Sequence, residues 1–212
     1  MIESIGVTEN TSAVMAFTRG YLALFYTLVA AFYTIRIIVG KRSAHAELVH
    51  PGERYCASWW NHMTFRVFRV VIWLVCVCRY FFPATDSVLG RFTLLNQPEI
   101  ILLGDLLLAL GFSTVIVIHT TMGNHWRSGI DNTGPKKLIT HGFFRYSRNP
   151  IFLAVACAQV GFFLALPSVF TLICLLVGLY ILHRQVLCEE SHLLRMFQQD
   201  YVNYTLKTGR WL

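Results

Sequence analysis

Two groups of ionisable side chains stand out in this chain, and each lies at the end of an apolar run. The first is a basic segment, residues 138–152, which carries His141 and Arg148. The second is the adjacent acidic pair Glu189 and Glu190. A carboxylate beside an apolar surface is costly unless a cation pairs with it, and a guanidinium can hold a carboxylate through two parallel hydrogen bonds. We therefore predict that the basic segment and the acidic pair meet in one polar pocket.

The basic segment also has residue types that can shape a binding loop. Gly142 permits a sharp turn, and Pro150 suits the first turn of the next helix, where free backbone amides favour an anion. The rings of Phe143, Phe144 and Phe152 could enclose a flat ligand, and Tyr146 adds a polar group beside His141 and Arg148. A structural interpretation stays open: the glutamates could form an ion pair or answer a helix dipole, and the segment could be an aromatic and basic membrane-interface belt.

The composition favours an integral membrane protein. Of 212 residues, 55% are hydrophobic and only 14% are charged, whereas about a quarter of the residues in a soluble domain are charged. The formal net charge of +7 is explained more economically by contact with membrane lipid headgroups than by nucleic-acid binding. The six cysteines lie in or beside apolar runs without metal-ligand spacing, so we expect free thiols, no disulfide and no metal site.

Five apolar runs are predicted to cross the membrane as helices: Val14–Val39, Phe65–Phe82, Ile100–His119, Ile151–Leu166 and Ser168–Leu187. Pro167 divides the last two, which should form a hairpin because proline cannot continue a helix. Basic residues concentrate in the loops Gly40–Thr64 and Asn124–Asn149. The positive-inside rule then places both loops and the C-terminus in the cytoplasm and the N-terminus outside. The first run follows an acidic stretch, so we expect a retained anchor and not a cleaved signal peptide.

Residues 189–207 have the pattern of an amphipathic helix. Glu190, Leu194, Phe197, Tyr201 and Tyr204 recur at spacings that place them on one helix face. We expect this C-terminal helix to lie on the cytoplasmic membrane surface and to close over the basic segment.

Asp105 is an isolated acidic residue within the third apolar run. An unpaired carboxylate inside a membrane is costly. If it is buried, we expect it to pair with Arg19 or Arg36.

The basic segment reads LITHGFFRYSRNPIF (Leu138–Phe152), and the acidic segment reads Glu189-Glu190-x-x-Leu193-x-x-x-Phe197-x-x-x-Tyr201-x-x-Tyr204. Together, at this separation, they resemble the isoprenylcysteine carboxyl methyltransferase family. The pattern of that family is approximately L-V-T-x-G-P-Y-x-x-x-R-H-P-x-Y followed by E-E-x-x-L-x-x-x-F-G-x-x-Y-x-x-Y. The resemblance starts near Gly123 and does not extend to the first three helices. The chain departs from the pattern at Phe143 and Phe144 for Pro-Tyr, Asn149 for His, Phe152 for Tyr and Gln198 for Gly.

The resemblance implies an all-α membrane enzyme that uses S-adenosylmethionine, with its cofactor pocket on the cytoplasmic side. It implies one membrane domain, in which residues 1–122 supply three helices and residues 123–212 form the catalytic region. Arg148 and Glu190 would be the catalytic residues nearest the transferred methyl group. The cofactor-binding residues would be Leu138, His141, Gly142, Phe143, Tyr146, Pro150, Phe152, Glu189 and Glu190.

The expected methyl acceptor is lipophilic and enters sideways from the bilayer. A prenyl-cysteine carboxylate needs no base, whereas a phospholipid amine, the alternative, would need one such as Glu190. A second reaction class is a nicotinamide-dependent reductase of the sterol-reductase type, although paired glutamates would repel dinucleotide phosphates. A third possibility is a non-catalytic membrane protein such as a transporter subunit, but spans two and three carry few polar groups that could form a pathway.

Overall fold

The computed structural model describes residues 2–44, 49–50, 52–123, 128–129 and 137–212. Five α-helices dominate: α1 (Ile2–Ala44), α2 (Ala57–Phe81), α3 (Pro98–Met122), α4 (Pro150–Ala165) and α5 (Val169–Thr205). Short 3-10 turns occupy Pro83–Val88, Thr93–Leu95 and Gly142–Arg145, and two-residue strands β1 (Val49–His50) and β2 (Ser128–Gly129) pair in parallel. Arg127, Gly134 and Lys136 of the second basic loop lie outside the described residues.

The helix starts follow local sequence signals. The Cys56 sulfur accepts the amide of Trp59 at the start of α2, and α3 and α4 each begin with a proline. At the start of α5, Ser168 and Thr171 form a capping box in which each side chain bonds to the backbone of the other. Such caps satisfy amides that a helix leaves free in its first turn.

Among the described residues, three helices are long and apolar enough to cross a membrane: Asn10–Val39 within α1, Pro98–Met122 (α3) and Val169–Thr205 (α5). The second predicted span lies in α2, which is not among them and contains three arginines. The fourth predicted span lies in α4, which has 16 residues. A helix of this length is about 24 Å long, which is shorter than the hydrocarbon core of a membrane, about 30 Å. The part of the chain that the structure describes therefore has three candidate spans, and five spans stay a prediction.

The C-terminal segment is not a separate helix that starts at Glu189. α5 runs from Val169 through both glutamates to Thr205, and its helical geometry breaks only at Gln198. No glycine or proline separates the apolar part of α5 from the acidic pair, so the backbone hydrogen-bond ladder continues through them. The predicted amphipathic segment is thus the continuation of α5.

The tightest packing in the bundle joins α3 to α4. A Cβ atom added at Gly161 of α4 would overlap with the backbone nitrogen of Leu108, and one added at Gly104 of α3 would overlap with that of Ala165. Small residues let two helix backbones approach closely, which is the usual basis of helix association in a membrane. The two helices thus form a rigid wall.

An ionic cluster ties α1 and α2 to the turn that follows α2. Arg79 Nε donates to one carboxylate oxygen of Asp86 at 2.5 Å, and Arg19 Nη2 donates to the other at 2.8 Å. Burial acts to raise the pKa of Asp86, but hydrogen bonds and charge from these two arginines lower it below its ordinary value. Asp86 therefore stays ionised and holds the two helices together.

The expected pairing of Asp105 with Arg19 or Arg36 is wrong. Asp105 is buried and accepts a hydrogen bond from Thr18 Oγ1 at 2.7 Å. Arg19 is bonded to Asp86 instead, and Arg36 donates to the carbonyl oxygen of His119 at 3.1 Å. A neighbouring hydroxyl group is therefore the partner of this carboxyl group.

Candidate active site

Glu190 joins the basic segment to α5. Arg148 Nε and Nη2 each lie 3.3 Å from its Oε1, and Asn149 Nδ2 donates to the same oxygen at 2.9 Å. Arg210 donates to Oε2 from Nε at 3.0 Å and from Nη2 at 2.9 Å. The side chains of Arg148 and Glu190 are only 12% and 11% exposed. The structure thus brings the two predicted groups together, and the Glu190 carboxylate is already paired with two guanidinium groups.

The last residues of the chain complete this cluster. The backbone amide of Arg148 donates to the carbonyl of Gly209 at 3.0 Å, and the Nη1 atom of the Arg148 side chain donates to the carbonyl of Thr208 at 3.3 Å. Asn149 Nδ2 also lies 3.3 Å from the carbonyl of Arg210. The C-terminal segment therefore closes against the basic segment and fixes the start of α4.

A kink in α5 makes this closure possible. Gln198 has φ 42° and ψ −114°, a conformation that favours glycine, and it stands where the family pattern described above has glycine. Beyond the kink Tyr201 and Tyr204 are buried, and the Tyr204 hydroxyl donates to the carbonyl of Phe144 at 2.5 Å. The kink directs the end of α5 onto the basic segment.

Glu189 lies in a different environment from its neighbour. Its Oε1 accepts a hydrogen bond from Gln185 Nε2 at 3.0 Å, and Gln185 Oε1 accepts one from Asn61 Nδ2 of α2 at 3.1 Å. Asn61 and Gln185 are both buried. Across the described ranges of the chain, no cationic side chain lies within ion-pair distance of Glu189, so an oriented carboxylate is available to a ligand.

Glu189 faces a cavity of about 310 Å³ inside the helix bundle. All five helices contribute to its wall, which is largely aromatic and aliphatic. Hydrogen-bonding or charged side chains on the wall include Tyr33, His62, Thr64, Arg69, His119, Gln159, Gln185 and Glu189. An apolar cavity with a few polar groups is typical of a site for a small lipophilic molecule.

His62 contributes a neutral imidazole to the cavity wall. Burial, with the neighbouring charges of Arg66 and Arg69, lowers its pKa to about 4. Its Nε2 atom is buried and has no hydrogen-bond partner among the residues described. A ligand group in the cavity could therefore bond to this nitrogen.

The predicted cofactor residues fall into three sets. Phe152 and Glu189 line the cavity, whereas Pro150 and Glu190 lie beside it at the start of α4 and in α5. His141, Gly142, Phe143 and Tyr146 are exposed, and Leu138 is half-buried. Gly142 has φ 63°, and a Cβ atom added there would meet open space, so the turn that requires glycine borders an accessible surface.

Sequence reasoning missed several residues of this site. Asn61 and Gln185 are polar residues in or beside apolar runs, and such residues usually mark function in a membrane protein, so a signal existed. No sequence pattern indicates the hydrogen bonds from Arg210 and Asn149 to Glu190, because these bonds depend on how the C-terminal segment folds back. Arg69 also lines the cavity, and no sequence pattern distinguishes it from the other arginines of α2.

The sequence model of the phospholipid methyltransferase family matches residues 99–200, slightly less than half of the chain. This is a membrane methyltransferase family related to the isoprenylcysteine family, and use of S-adenosylmethionine is general in it. None of the curated proteins and none of the solved structures matches the chain significantly. The matched residues include the α3–α4 wall, Arg148 and both glutamates, so they support a methyltransferase that works in a membrane.

Proposed function

We propose, from the similarity of residues 99–200 to membrane methyltransferases, that this chain transfers a methyl group from S-adenosylmethionine to a lipid that carries an amine. The main support is the apolar cavity lined by Glu189, a carboxylate without a cationic partner among the described residues. The adjoining residue of α5 is Glu190, whose Oε1 lies 3.3 Å from Arg148 Nη2. A lipophilic chamber and a polar cluster thus meet at one end of the bundle.

The residues at this end fit the cofactor. When bound, S-adenosylmethionine supplies a methyl group on a positively charged sulfur that leaves with the bonding electron pair. Glu189 could face this positive charge. The Asn149 side chain does not cap α4, so the first-turn amides of Ile151 and Phe152 stay available to a carboxylate. The exposed Tyr146 and Phe143 could flank the adenine.

The environment of Glu189 favours an amine acceptor over the prenyl-cysteine carboxylate. An acceptor carboxylate would face the Glu189 carboxylate across a low-dielectric cavity, where repulsion between like charges is strong. An ammonium group would be attracted to it. We therefore place a lipid amine first and the carboxylate second.

Glu189 would also act as the general base. A protonated amine has no lone pair, so it must lose a proton before nitrogen can form the new bond to carbon. Glu189, held by Gln185 and in turn by Asn61, can accept that proton. Glu190 is less suited to this role because its oxygens already bond to Arg148 and Arg210. We infer that Glu190 organises the site and that Arg148 holds the start of α4.

The acceptor would enter sideways from the bilayer, and the cofactor would arrive from the cytoplasm. The basic loops before α2 and before α4 support a cytoplasmic site through the positive-inside rule. This division between a lipophilic acceptor and a soluble cofactor gives a reason for building the enzyme inside a membrane.

Two experiments on the purified protein in detergent test this function. Calorimetric titration should show binding of S-adenosylhomocysteine and no binding of NADPH, whereas the reverse would favour the sterol-reductase type. Incubation with methyl-labelled S-adenosylmethionine and a total lipid extract should then label amine-bearing lipids. Label confined to carboxylate-bearing lipids would contradict the amine assignment, and absence of lipid label would contradict the function.

A further inference from the structure

Three arginines meet one carboxylate at the end of the bundle opposite the candidate active site. Asp86 accepts hydrogen bonds from Arg79 and Arg19, and Arg91 Nη1 lies 3.9 Å from the same Asp86 oxygen that Arg19 contacts. Arg79 lies about 27 Å along α2 from Asn61, which is bonded to the Gln185–Glu189 pair. We name the three arginines and Asp86 the three-arginine cluster.

Positive charge is in excess in this cluster. Among the described residues, Asp86 is the only acidic side chain that forms an ion pair with Arg19, Arg79 or Arg91. Asp105 bonds to Thr18 instead. Three guanidinium groups therefore share one carboxylate, and two positive charges are left without an acidic side chain in ion-pair contact.

Some hydrogen-bond donors of the cluster also lack acceptors. Arg79 Nη1 and Arg91 Nε are buried and have no hydrogen-bond partner among the residues described. Burial lowers the pKa of Arg91, Asp86 acts to raise it, and the charges of Arg79 and Arg19 lower it again. The arginines thus repel one another, and an additional anion would relieve this repulsion.

Two of the three arginines can be reached from outside. The side chains of Arg19 and Arg91 are 19% and 20% exposed, whereas that of Arg79 is 3% exposed. Arg91 Nη2 donates to Asn96 Oδ1, which fixes the guanidinium group. Arg91 Nη1 lies beyond hydrogen-bond distance from Asp86. Arg19 and Arg91 could therefore donate to an external anion while Arg79 adds positive charge from behind.

The segment that carries the cluster also exposes large apolar side chains. They are Tyr80, Phe81, Phe82, Val88 and Leu94. Aromatic side chains are enriched where a membrane meets water. A free anion would leave these side chains uncovered, whereas a lipid would bring its phosphate to the arginines and its hydrocarbon chains to the apolar surface.

We propose that Arg19 and Arg91 bind the phosphate of an anionic phospholipid, at the end of the bundle opposite the candidate active site. This lipid would be a bound structural ligand and not the methyl acceptor, because its site is far from Glu189. The excess of positive charge favours a lipid with net negative charge over a zwitterionic lipid, whose cationic group the arginines would repel. Both arginines precede residues 99–200, so the site lies outside the part of the chain that the family similarity covers.

The first test compares three ligands on the wild-type protein in a neutral detergent. Phosphatidylglycerol is anionic, phosphatidylcholine has a phosphate but no net charge, and glycerol 3-phosphate is a soluble phosphate. Native mass spectrometry should show retention of phosphatidylglycerol in preference to phosphatidylcholine, and glycerol 3-phosphate should not displace it. Equal retention of the two lipids would refute selection by charge. Displacement by glycerol 3-phosphate would show that the ligand is a free phosphate and not a lipid.

The second test places the lipid at the cluster. Arg91→Gln should weaken the binding of phosphatidylglycerol by about tenfold or more, as expected for loss of hydrogen bonds to a charged group. Arg91→Lys keeps the charge and should restore part of the loss. Arg66→Gln is the matched control, because Arg66 is an exposed arginine about 20 Å from Arg79 along the same helix. It should bind the lipid as the wild-type protein does.

Thermal unfolding of the same samples shows which variants are folded. Phosphatidylglycerol should raise the unfolding temperature of the wild-type protein and of Arg66→Gln, but not that of Arg91→Gln. Equal binding by Arg91→Gln and the wild-type protein, or an equal loss in Arg66→Gln, would overturn the inference. If Arg91→Gln does not fold, the ligand comparison on the wild-type protein still tests the selection by charge. Neither measurement involves methyl transfer, so the result is independent of the proposed function.

Discussion

Replacing Glu190 by glutamine should destabilise the protein, although the change keeps the size and shape of the side chain. The Arg148 side of the cluster is nearly buried, whereas the Arg210 side chain is 38% exposed. Removing one partner of a buried ion pair costs about 3–5 kcal/mol, and an exposed pair contributes about 0–1 kcal/mol. Because glutamine can still accept some of these hydrogen bonds, we expect a loss near the lower limit, about 3 kcal/mol.

The adjacent Glu189→Gln variant is the control, since it makes the same chemical change one residue away. Glu189 has no cationic partner among the described residues, and glutamine can still accept the hydrogen bond from Gln185. Its stability should equal that of the wild-type protein. Unfolding in mild detergent, followed by tryptophan fluorescence, measures both variants. Equal stability of Glu190→Gln and the wild-type protein would refute the claim that Glu190 holds the basic segment to α5.

Three further predictions concern the fold. Gly161→Ala should separate α3 from α4, because the added methyl group would overlap with the backbone of Leu108. It should lower thermal stability more than Gly20→Ala in α1, where the added atom would make only an ordinary contact with the Tyr80 ring at 3.6 Å; equal loss would refute the tight packing. Gln198→Gly should raise stability by about 1 kcal/mol, because it relieves a backbone conformation that favours glycine, whereas Gln198→Ala should not. Denaturant titration measures both variants, and equal stability of the two would refute the strained kink. The arginine partners of Asp86 lower its pKa, so the stability that this ion pair contributes should be full above about pH 4 and should be lost as the pH falls further. Asp86→Asn should abolish this acid-dependent part of the stability. An Asp86→Asn protein with the same pH profile of stability as the wild-type protein would contradict this prediction.

The sequence predicted the positions of the helices well, because apolar runs and their proline boundaries are local signals. The break at Pro167 is present, and the basic segment ends where α4 starts. The separate C-terminal helix was not found, since nothing between Leu187 and Glu189 stops a helix. The partner of Asp105 was also wrong, because Arg19 had an alternative acid, Asp86, that only the three-dimensional arrangement brings close.

The site was predicted in part. The encounter of Arg148 with Glu190 follows from charge and burial, and the structure confirms it. The different environments of Glu189 and Glu190 could not be predicted. They depend on which face of α5 lines the cavity and on where the C-terminal segment places Arg210. The cavity itself depends on side chains from all five helices, and no local pattern encodes their assembly.

In the proposed reaction, Glu189 receives the proton of a lipid amine during methyl transfer. The most direct measurement is the initial rate of label transfer to phosphatidylethanolamine by the wild-type protein and by Glu189→Gln, with unfolding measured on the same samples. Loss of a general base predicts a rate lowered by about 10²–10⁴-fold in a variant that stays folded. A folded Glu189→Gln protein that methylates the lipid at the wild-type rate would show that Glu189 is not the base.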